Sequence, residues 1–226
     1  MPPDLLQVRT PLVNFHVLRD VSGLYLLDAG FIGGAWALQR GLRRAGWERE
    51  RIRGIILTHG HLDHIFNVAR IARETGAWIA APEGDAGHYA GKPRYRGWGK
   101  VTGLMEFLGR AMPGFDRFTP DRWVEDGNLI DVWGGLRAVH LPGHTTGHTG
   151  YYSERCRLLF CGDLFASFQG FAHLPPGIFN SCAHLSSSSL AKALSLDLEG
   201  VIPNHSDRAD PDTHLARLRK LAAVAG

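Results

Sequence analysis

Apolar and polar residues recur with two periods along the chain, so both strands and helices are expected. Short apolar runs between turn residues predict strands, at residues 12–19, 24–27, 53–57, 77–81, 129–133, 136–141, 150–153, 158–161 and 201–203. Apolar residues at three-to-four spacing predict helices, at residues 35–45, 65–75, 101–112 and 190–198, with a last helix that begins at Asp210 and Pro211. Strands alternating with helices predict a mixed or parallel sheet covered by helices.

Residues 83–123 interrupt this alternation. The stretch is rich in glycine, proline, aromatic and basic residues, including Arg94, Arg96 and Trp98. It is either a surface insertion with a solvated basic face or a wall over a binding site, and we favour the wall because long insertions in compact domains often carry binding function. We expect residues 1–226 to form a single domain that includes this insertion.

Composition narrows the class of protein. The chain has 226 residues, 44% of them hydrophobic, which suits one substantial core. The net charge of +3, without a run of lysine or arginine, does not favour a nucleic-acid or membrane-surface partner. No apolar stretch is long enough for a transmembrane helix, and Arg9, Asn14, His16 and Arg19 stand where a signal peptide needs an apolar core. A cytoplasmic location is therefore expected. The three cysteines form no CxxC pattern, as is typical of reduced thiols.

The segment Thr58-His59-Gly60-His61-Leu62-Asp63-His64 has the most distinctive chemistry. Imidazole and carboxylate groups are preferred ligands of zinc and similar divalent metals. His59 and His61 are two apart and cannot share a helix face, but both can point inward from an extended turn after strand 53–57. The alternative is a polar loop that caps a helix, and three histidines with an aspartate in this order make that alternative the weaker one.

Three further ligand-type residues stand just past predicted strands. His144 lies in Pro-Gly-His-Thr-Thr-Gly-His, Asp163 follows Cys-Gly, and His205 follows Ile-Pro-Asn. Ligands gather beyond the carboxyl ends of strands in open sheets of this kind. We therefore expect these residues to share one site with the first histidine cluster.

Together these motifs resemble the metallo-β-lactamase-fold hydrolases, from the first hairpin to His205. The resemblance implies an α/β fold, a four-layer αββα sandwich of two mixed β-sheets flanked by helices. It also implies two divalent metal ions at one edge, and Zn²⁺ is expected, although Fe or Mn suits the same ligands. By this resemblance, one ion is held by His59, His61 and His144, the other by Asp63, His64 and His205, and Asp163 bridges the two.

The resemblance assigns supporting roles as well. Asp28, just after strand 24–27, would support the metal ligands without being a ligand itself. Asn204 stands where the family often has glycine. His148 is expected to orient the Pro-Gly-His turn. His16, His88, His140 and His214 are expected to be ordinary surface or core histidines. The predicted substrate pocket takes residues from the insertion and from the segment after Asp163, namely Trp98, Phe165, Phe168, Phe171, His173 and His184.

The ligand set implies a dinuclear hydrolase. Six His/Asp ligands and a bridging carboxylate exceed what one tetrahedral zinc needs, and a hydroxide shared by two metals is a nucleophile at neutral pH. By resemblance, Asp63 is the catalytic residue that moves the proton of this water.

The resemblance also narrows the reaction. Asp163 at the bridging position disfavours a true β-lactamase and favours the glyoxalase II-like or lactonase-like branch. The glutathione-binding extension of glyoxalase II is not evident after His205. We expect hydrolysis of a small ester, thioester or lactone, with no nucleic-acid or membrane partner. An iron-dependent persulfide dioxygenase, a phosphodiesterase and a non-catalytic metal protein stay open, as does the oligomeric state.

Overall fold

Two mixed β-sheets form the centre of the computed structural model, which describes residues 2–93, 95 and 99–225. The first sheet has six strands in the order β1-β2-β3-β4-β5-β6. These are β1 Leu5–Arg9, β2 Asn14–Asp20, β3 Gly23–Leu27, β4 Ile52–Ile56, β5 Trp78–Pro82 and β6 Arg122–Val124. Strands β1 to β3 pair antiparallel, and β3 to β6 pair parallel.

The later strands form the second sheet and a small hairpin. They are β7 Leu129–Ile130, β8 Leu136–His140, β9 Thr149–Ser153, β10 Leu158–Gly162, β11 Ala166–Phe168, β12 Phe171–His173 and β13 Gly200–Pro203. The second sheet has the order β13-β10-β9-β8-β7, and β11 pairs with β12 as a two-stranded sheet. Strand β13 is parallel to β10, whereas the other pairs are antiparallel.

Helices cover the outer face of each sheet. They are α1 Gly34–Ala45, α2 Leu62–Ile65, α3 Val68–Thr75, α4 Ala86–Tyr89, α5 Lys100–Arg110, α6 Ser186–Leu194 and α7 Pro211–Ala225. Helices α1 and α3 pack on the first sheet, and α6 and α7 pack on the second. The predicted αββα sandwich is confirmed. Within the described residues, no helix is long and apolar enough to cross a membrane.

The period of two along each strand produces the layers, because successive side chains point to opposite faces of a sheet. In β2, Phe15 and Val17 pack under the helices, whereas Leu18 faces the other sheet. In β10, Phe160 faces the first sheet and Leu159 packs under the outer helices. Both faces of these strands are buried, so their sequences read as nearly continuous apolar runs.

Several predicted elements need correction. The sequence pattern does not indicate β1, because it is a short edge strand paired only with β2. The helix predicted at 65–75 is two helices, α2 and α3. The break falls at Asn67, whose side-chain amide donates to the backbone oxygens of Ala29 and Phe31 at 2.9 and 2.7 Å. The four serines that precede the helix predicted at 190–198 are instead the first turn of α6, which ends at Leu194.

The segment 83–123 contributes α4, α5 and the edge strand β6. Helix α5 is inverted relative to an ordinary surface helix, because Thr102, Glu106 and Gly109 are buried while Leu104 and Phe107 are exposed. Its polar and small residues therefore face the interior and its apolar stripe faces outward. Arg94, Arg96 and Trp98 lie outside the described residues.

Candidate metal centre

Loops from both sheets meet at one edge of the sandwich, beyond the carboxyl ends of the strands. Asp28 follows β3, the segment His59 to His64 follows β4, and His144 follows β8. Asp163 follows β10 and His205 follows β13. The adjacent ends of parallel strands explain why residues so distant in sequence become neighbours.

All seven predicted metal ligands lie together at this edge. Their ligand atoms form three overlapping groups, and within each group the atoms lie within 4.8 Å of one another. The groups are His59, His61 and His144; His59, His64 and Asp163; and Asp63, His64 and His205. Each half of the chain contributes to every group, so the site exists only when the two halves are packed together.

Asp163 lies between the groups. Its Oδ2 is 3.1 Å from Nε2 of His205, 3.3 Å from Nε2 of His64 and 3.4 Å from Nε2 of His144. The Nδ1 of His61 and the Nε2 of His144 approach to 2.8 Å. One carboxylate oxygen thus faces imidazoles of both predicted metal positions.

Several of these polar atoms fit a cation better than any partner in the protein. The Nε2 atoms of His59, His61 and His64 and the Oδ1 of Asp163 are buried and have no hydrogen-bond partner among the described residues. A buried polar atom without a partner is costly. Imidazole nitrogens and carboxylate oxygens that converge on one space are the donor set that Zn²⁺ and related divalent ions bind. The residues present therefore fit a divalent metal.

The electrostatics hold some imidazoles of the site neutral and others charged. Burial opposes the charged form of His64, but the carboxylates of Asp163 and Asp63 raise its pKa well above the ordinary value. Burial and the neighbouring His64 hold the pKa of His59 well below its ordinary value, and burial and His144 do the same for the pKa of His61. Burial would raise the pKa of Asp163, but His205 and His64 more than offset it and hold that pKa well below the ordinary value. Burial opposes the charged form of His205, but Asp163 raises its pKa to about 10. A divalent cation would take over the role of this imidazolium as the counter-charge of Asp163.

Hydrogen bonds from behind fix the orientation of the imidazoles. His64 Nδ1 lies 2.9 Å from Asp28 Oδ2, and His144 Nδ1 lies 3.0 Å from Asn180 Oδ1. His59 Nδ1 lies 3.0 Å from the hydroxyl of Thr58, which donates to Asp28 at 2.7 Å. Each of these three Nδ1 atoms faces an oxygen that can accept its hydrogen, so Nε2 is the ring atom that each imidazole offers to a cation.

His148 occupies the position behind Asp163. Its Nδ1 donates to the Leu141 carbonyl at 2.9 Å, and its Nε2 accepts the backbone N–H of Asp163 at 3.0 Å. Burial lowers the pKa of His148 to about 4, which keeps this ring neutral and able to accept. The ring therefore fixes the backbone from which the Asp163 carboxylate projects.

Asp85 is a structural member of the site that the sequence does not reveal. This buried carboxylate accepts the Gly60 N–H at 2.8 Å, the Thr145 hydroxyl at 2.6 Å and the Gly147 N–H at 2.9 Å. It joins the first histidine loop to the Pro-Gly-His loop. Sequence analysis also does not identify Asn180, the partner of His144. Neither Asp85 nor Asn180 lies in a motif that indicates such a role.

A cavity of about 520 Å³ opens beside the ligand cluster. Its wall includes Phe165, Phe168 and His173. The prediction that His184 lines the pocket is not met by this wall. His184 is exposed on the turn Ala183–Leu185, and the last residue of this segment that lines the cavity before the turn is Phe179. Phe171 packs against Phe168 but is 56% exposed and also lies outside the wall, and Trp98 is outside the described residues.

The fold and this edge define a metal-binding αββα sandwich, and comparison with known proteins gives its family. A profile of the metallo-beta-lactamase superfamily matches residues 9–205. The chain belongs to the metallo-beta-lactamase superfamily. Members of this superfamily are metallo-hydrolases.

Similar curated proteins include hydroxyacylglutathione hydrolases. The chain is 31% identical over 159 residues to the hydroxyacylglutathione hydrolase GloC of Haemophilus influenzae, covering 66% of this chain and 65% of GloC. It is 31% identical over 140 residues to a hydroxyacylglutathione hydrolase of Pseudomonas aeruginosa, covering 60% of this chain and 43% of that protein. The chain thus spans less than two thirds of either relative.

Among solved structures, the metallo-beta-lactamase family protein TTHA1429 of Thermus thermophilus superposes with a TM-score of 0.73. The identity is 22%, and the match covers 99% of this chain and 80% of TTHA1429. This likeness supports the fold.

Proposed function

We propose that this chain is a dinuclear metal-dependent hydrolase that cleaves an ester, thioester or lactone bond in a small molecule. The observation that carries the proposal is the position of Asp163, whose Oδ2 lies 3.1 to 3.4 Å from imidazoles of both predicted metal positions. In this proposal residues 1–226 act as one catalytic domain, with segment 83–123 supplying part of the cavity wall.

The ligand roles follow from the three groups of converging atoms. His59, His61 and His144 would hold one divalent ion, most readily Zn²⁺, and Asp63, His64 and His205 the other, with Asp163 shared. When bound, such a pair of ions lowers the pKa of a coordinated water to about 7 and stabilises negative charge on oxygen. The remaining roles belong to the protein.

Asp63 is the proposed proton acceptor. It is the most exposed of the acidic ligands, its side chain being 31% exposed, and it lines the cavity where substrate enters. Burial would raise the pKa of Asp63, but the adjacent His64 and His205 lower it below its ordinary value. The carboxylate is therefore ionised at neutral pH and free to receive a proton from the attacking water.

The relatives favour acyl chemistry. Hydroxyacylglutathione hydrolases, by their name, cleave a glutathione thioester. The wall of the cavity is largely apolar, with phenylalanines close to the ligand cluster, as suits the acyl part of an ester or thioester. These two observations support acyl transfer to water over phosphodiester hydrolysis.

Metal analysis combined with a substrate panel tests the proposal. The protein is purified without added metal, and its metal content is measured before assays with p-nitrophenyl acetate, an S-acyl thioester, a δ-lactone, bis(p-nitrophenyl) phosphate and glutathione persulfide. We expect two metal ions per chain and chelator-sensitive cleavage of an acyl substrate, lowered by about 100-fold or more in Asp163→Ala. His184→Ala, an exposed histidine outside the site, is the matched control and should keep full activity.

Other outcomes contradict the proposal in distinct ways. Iron with oxygen uptake on the persulfide would identify a dioxygenase, and turnover of the phosphodiester alone would identify a phosphodiesterase. Full metal content with no turnover of any substrate would identify a non-catalytic metal protein. Unchanged turnover in Asp63→Asn at full metal content would remove Asp63 from its proton-accepting role.

A further inference from the structure

We propose that the acyl group of the substrate is an uncharged, extended hydrocarbon chain, and that this enzyme prefers such a substrate to a glutathione thioester. The inference rests on the proposed hydrolase function and names the class of substrate for the same site. It follows from the composition, the satisfied polar groups and the charge of the cavity wall.

The cavity has a polar end and an apolar body. The polar end is the ligand cluster, with His61, Asp63, His144, Asp163 and His205 exposed to it. The body is lined by apolar side chains from separate parts of the chain: Leu12, Phe31, Met105, Phe165, Phe168 and Phe179. A chain attached to the scissile carbonyl at the cluster therefore extends into the apolar body of this cavity.

The polar side chains of the body already have partners. The Thr102 hydroxyl donates to the Ile178 carbonyl at 2.6 Å, and the Nδ1 of His173 lies 2.8 Å from the Leu174 carbonyl. Glu106 accepts the Leu62 N–H at 2.9 Å and pairs with Arg110 at 2.8 Å. A polar substrate tail would lose its hydrogen bonds to water without gaining these groups as partners, whereas a hydrocarbon chain has no such hydrogen bonds to lose.

The body of the cavity offers no cationic side chain to an anionic substrate. Within the part of the chain that the structure describes, no lysine or arginine lines the cavity. Its acidic groups are already balanced, because Glu106 is paired with Arg110 and bound metal ions would offset Asp63 and Asp163. Glutathione carries two carboxylates, which need cationic or donor partners when removed from water. We therefore expect a glutathione thioester to be a poorer substrate than an uncharged thioester of the same acyl group.

A chain-length series tests the inference. The metal-loaded protein is assayed with p-nitrophenyl acetate, butyrate, hexanoate and octanoate. We expect kcat/KM to rise about fourfold per methylene until the cavity is filled, which corresponds to about 0.8 kcal/mol per buried methylene. Most of the rise should come from a lower KM, because the added contacts are made equally in the ground state and the transition state.

A matched pair of thioesters tests the charge preference. Butyryl-glutathione is anionic, whereas the butyryl thioester of N-acetylcysteamine presents the same acyl group without charge. We expect the neutral thioester to be cleaved with the higher kcat/KM, by about tenfold or more. As a readout independent of turnover, octanamide should bind the metal-loaded protein in calorimetry with a negative heat-capacity change, and acetamide should not.

Two variants localise the effect. Ala166 is buried and lines the cavity, so Ala166→Leu should lower the ratio of octanoate to acetate kcat/KM by about tenfold by filling the space. Phe179→Ala should lower the same ratio by removing apolar contact, and it keeps the test valid if the first variant misfolds. Phe107→Ala is the matched control, because Phe107 is 69% exposed on α5 and lies outside the cavity wall.

The contrary outcomes separate this inference from the proposed function. Metal-dependent turnover with a flat chain-length profile, or preference for butyryl-glutathione, overturns the inference and leaves the hydrolase function intact. Absence of metal-dependent turnover on every ester and thioester, with full metal content, overturns both.

Discussion

The carboxylate of Asp85 accepts a hydrogen bond from the backbone N–H of Gly60 at 2.8 Å, although the two residues belong to different loops. The same carboxylate holds Thr145 and Gly147 of the second half. All of these partners donate hydrogen bonds to Asp85, so both of its side-chain oxygens must act as acceptors. The spacing between the His59–His61 loop and His144 thus depends on a residue that is not itself a ligand.

We expect Asp85→Asn to weaken the centre by misplacing these loops. An amide NH₂ would face donors, which should lower the free energy of unfolding by about 2–4 kcal/mol and kcat/KM by about tenfold or more. Urea denaturation and steady-state kinetics measure the two effects. Asp116→Asn, an exposed carboxylate, is the control, and equal losses in both variants would contradict the role of Asp85.

Asp28 is positioned to control the metal site that contains His64. It accepts four hydrogen bonds, from the Thr58 N–H and hydroxyl, from His64 and from Asn204, and its φ of 63° lies in the left-handed region. Asparagine tolerates this backbone conformation, so Asp28→Asn changes the charge with little backbone strain. Metal titration should show about 10–100-fold weaker binding of the second ion. Unchanged affinity, with exposed Asp131→Asn as the control, would contradict this assignment.

Asn204 acts through Asp28. Its side-chain amide donates to Asp28 Oδ2 at 2.7 Å. The family resemblance leads one to expect glycine at position 204, which could not make this hydrogen bond. We expect Asn204→Gly to weaken binding of the second metal by about tenfold. In the Asp28→Asn background the same change should add little, because both act on one hydrogen-bond network. Full additivity in this double-mutant cycle would show that the two residues act separately, and exposed Asn128→Gly is the control.

His16 should make the protein less stable in acid. It is buried beside Phe160, and its Nε2 has no hydrogen-bond partner in the part of the chain that the structure describes. Burial and the nearby His214 lower its pKa to about 3. Between pH 6.5 and 3 the unfolded chain binds this proton and the folded chain does not, so stability is present above pH 6.5 and falls as pH drops. At pH 5 the penalty from this group is about 2 kcal/mol relative to pH 7.

We therefore expect His16→Leu to lose less stability than the unmodified protein between pH 7 and pH 5, by about 2 kcal/mol. Urea denaturation at both pH values, with the metal concentration held constant, measures the difference. His184→Leu removes an exposed histidine and should leave the pH dependence unchanged. Parallel pH profiles for the protein and His16→Leu would show that His16 does not titrate in this range.

Metal removal should destabilise the whole fold, since the ligands come from both sheets. A cation at about 1,000 times its dissociation constant stabilises the folded state by about 4 kcal/mol. For a domain of this size we expect Tm to rise by roughly 8–16 °C when Zn²⁺ is added after chelation. Calorimetry measures the shift, and Asp163→Ala should show a much smaller one. Equal Tm values with and without metal would contradict a site shared between the sheets.

The convergence of the seven proposed ligands could be predicted because their chemistry is rare and their positions are local. His59, His61, Asp63 and His64 are nearly consecutive, and His144, Asp163 and His205 each stand just past an apolar strand. Asp85 and Asn180 could not be predicted in this way. Both act through hydrogen bonds to residues more than twenty positions away, and a loop without periodicity gives no sign of such contacts.

Helix α5 shows the same limit for secondary structure. The apolar spacing predicts the helix but not its orientation. The pattern implies that Leu104 and Phe107 face inward, whereas both are exposed in the structure. Glu106 takes the inward position, where Arg110 and the Leu62 N–H compensate its charge. The contacts of the buried Glu106 carboxylate thus accompany a helix orientation that the apolar pattern alone does not indicate.

The division of ligands between the two sheets has a consequence for biogenesis. A nascent polypeptide exposes the first histidines early in translation, but Asp163 and His205 leave the ribosome only after most of the chain has been made. In the proposed centre, full cation loading would therefore be a late event that reports completed assembly. A truncated or misassembled molecule would be recognisable by its failure to retain the ions.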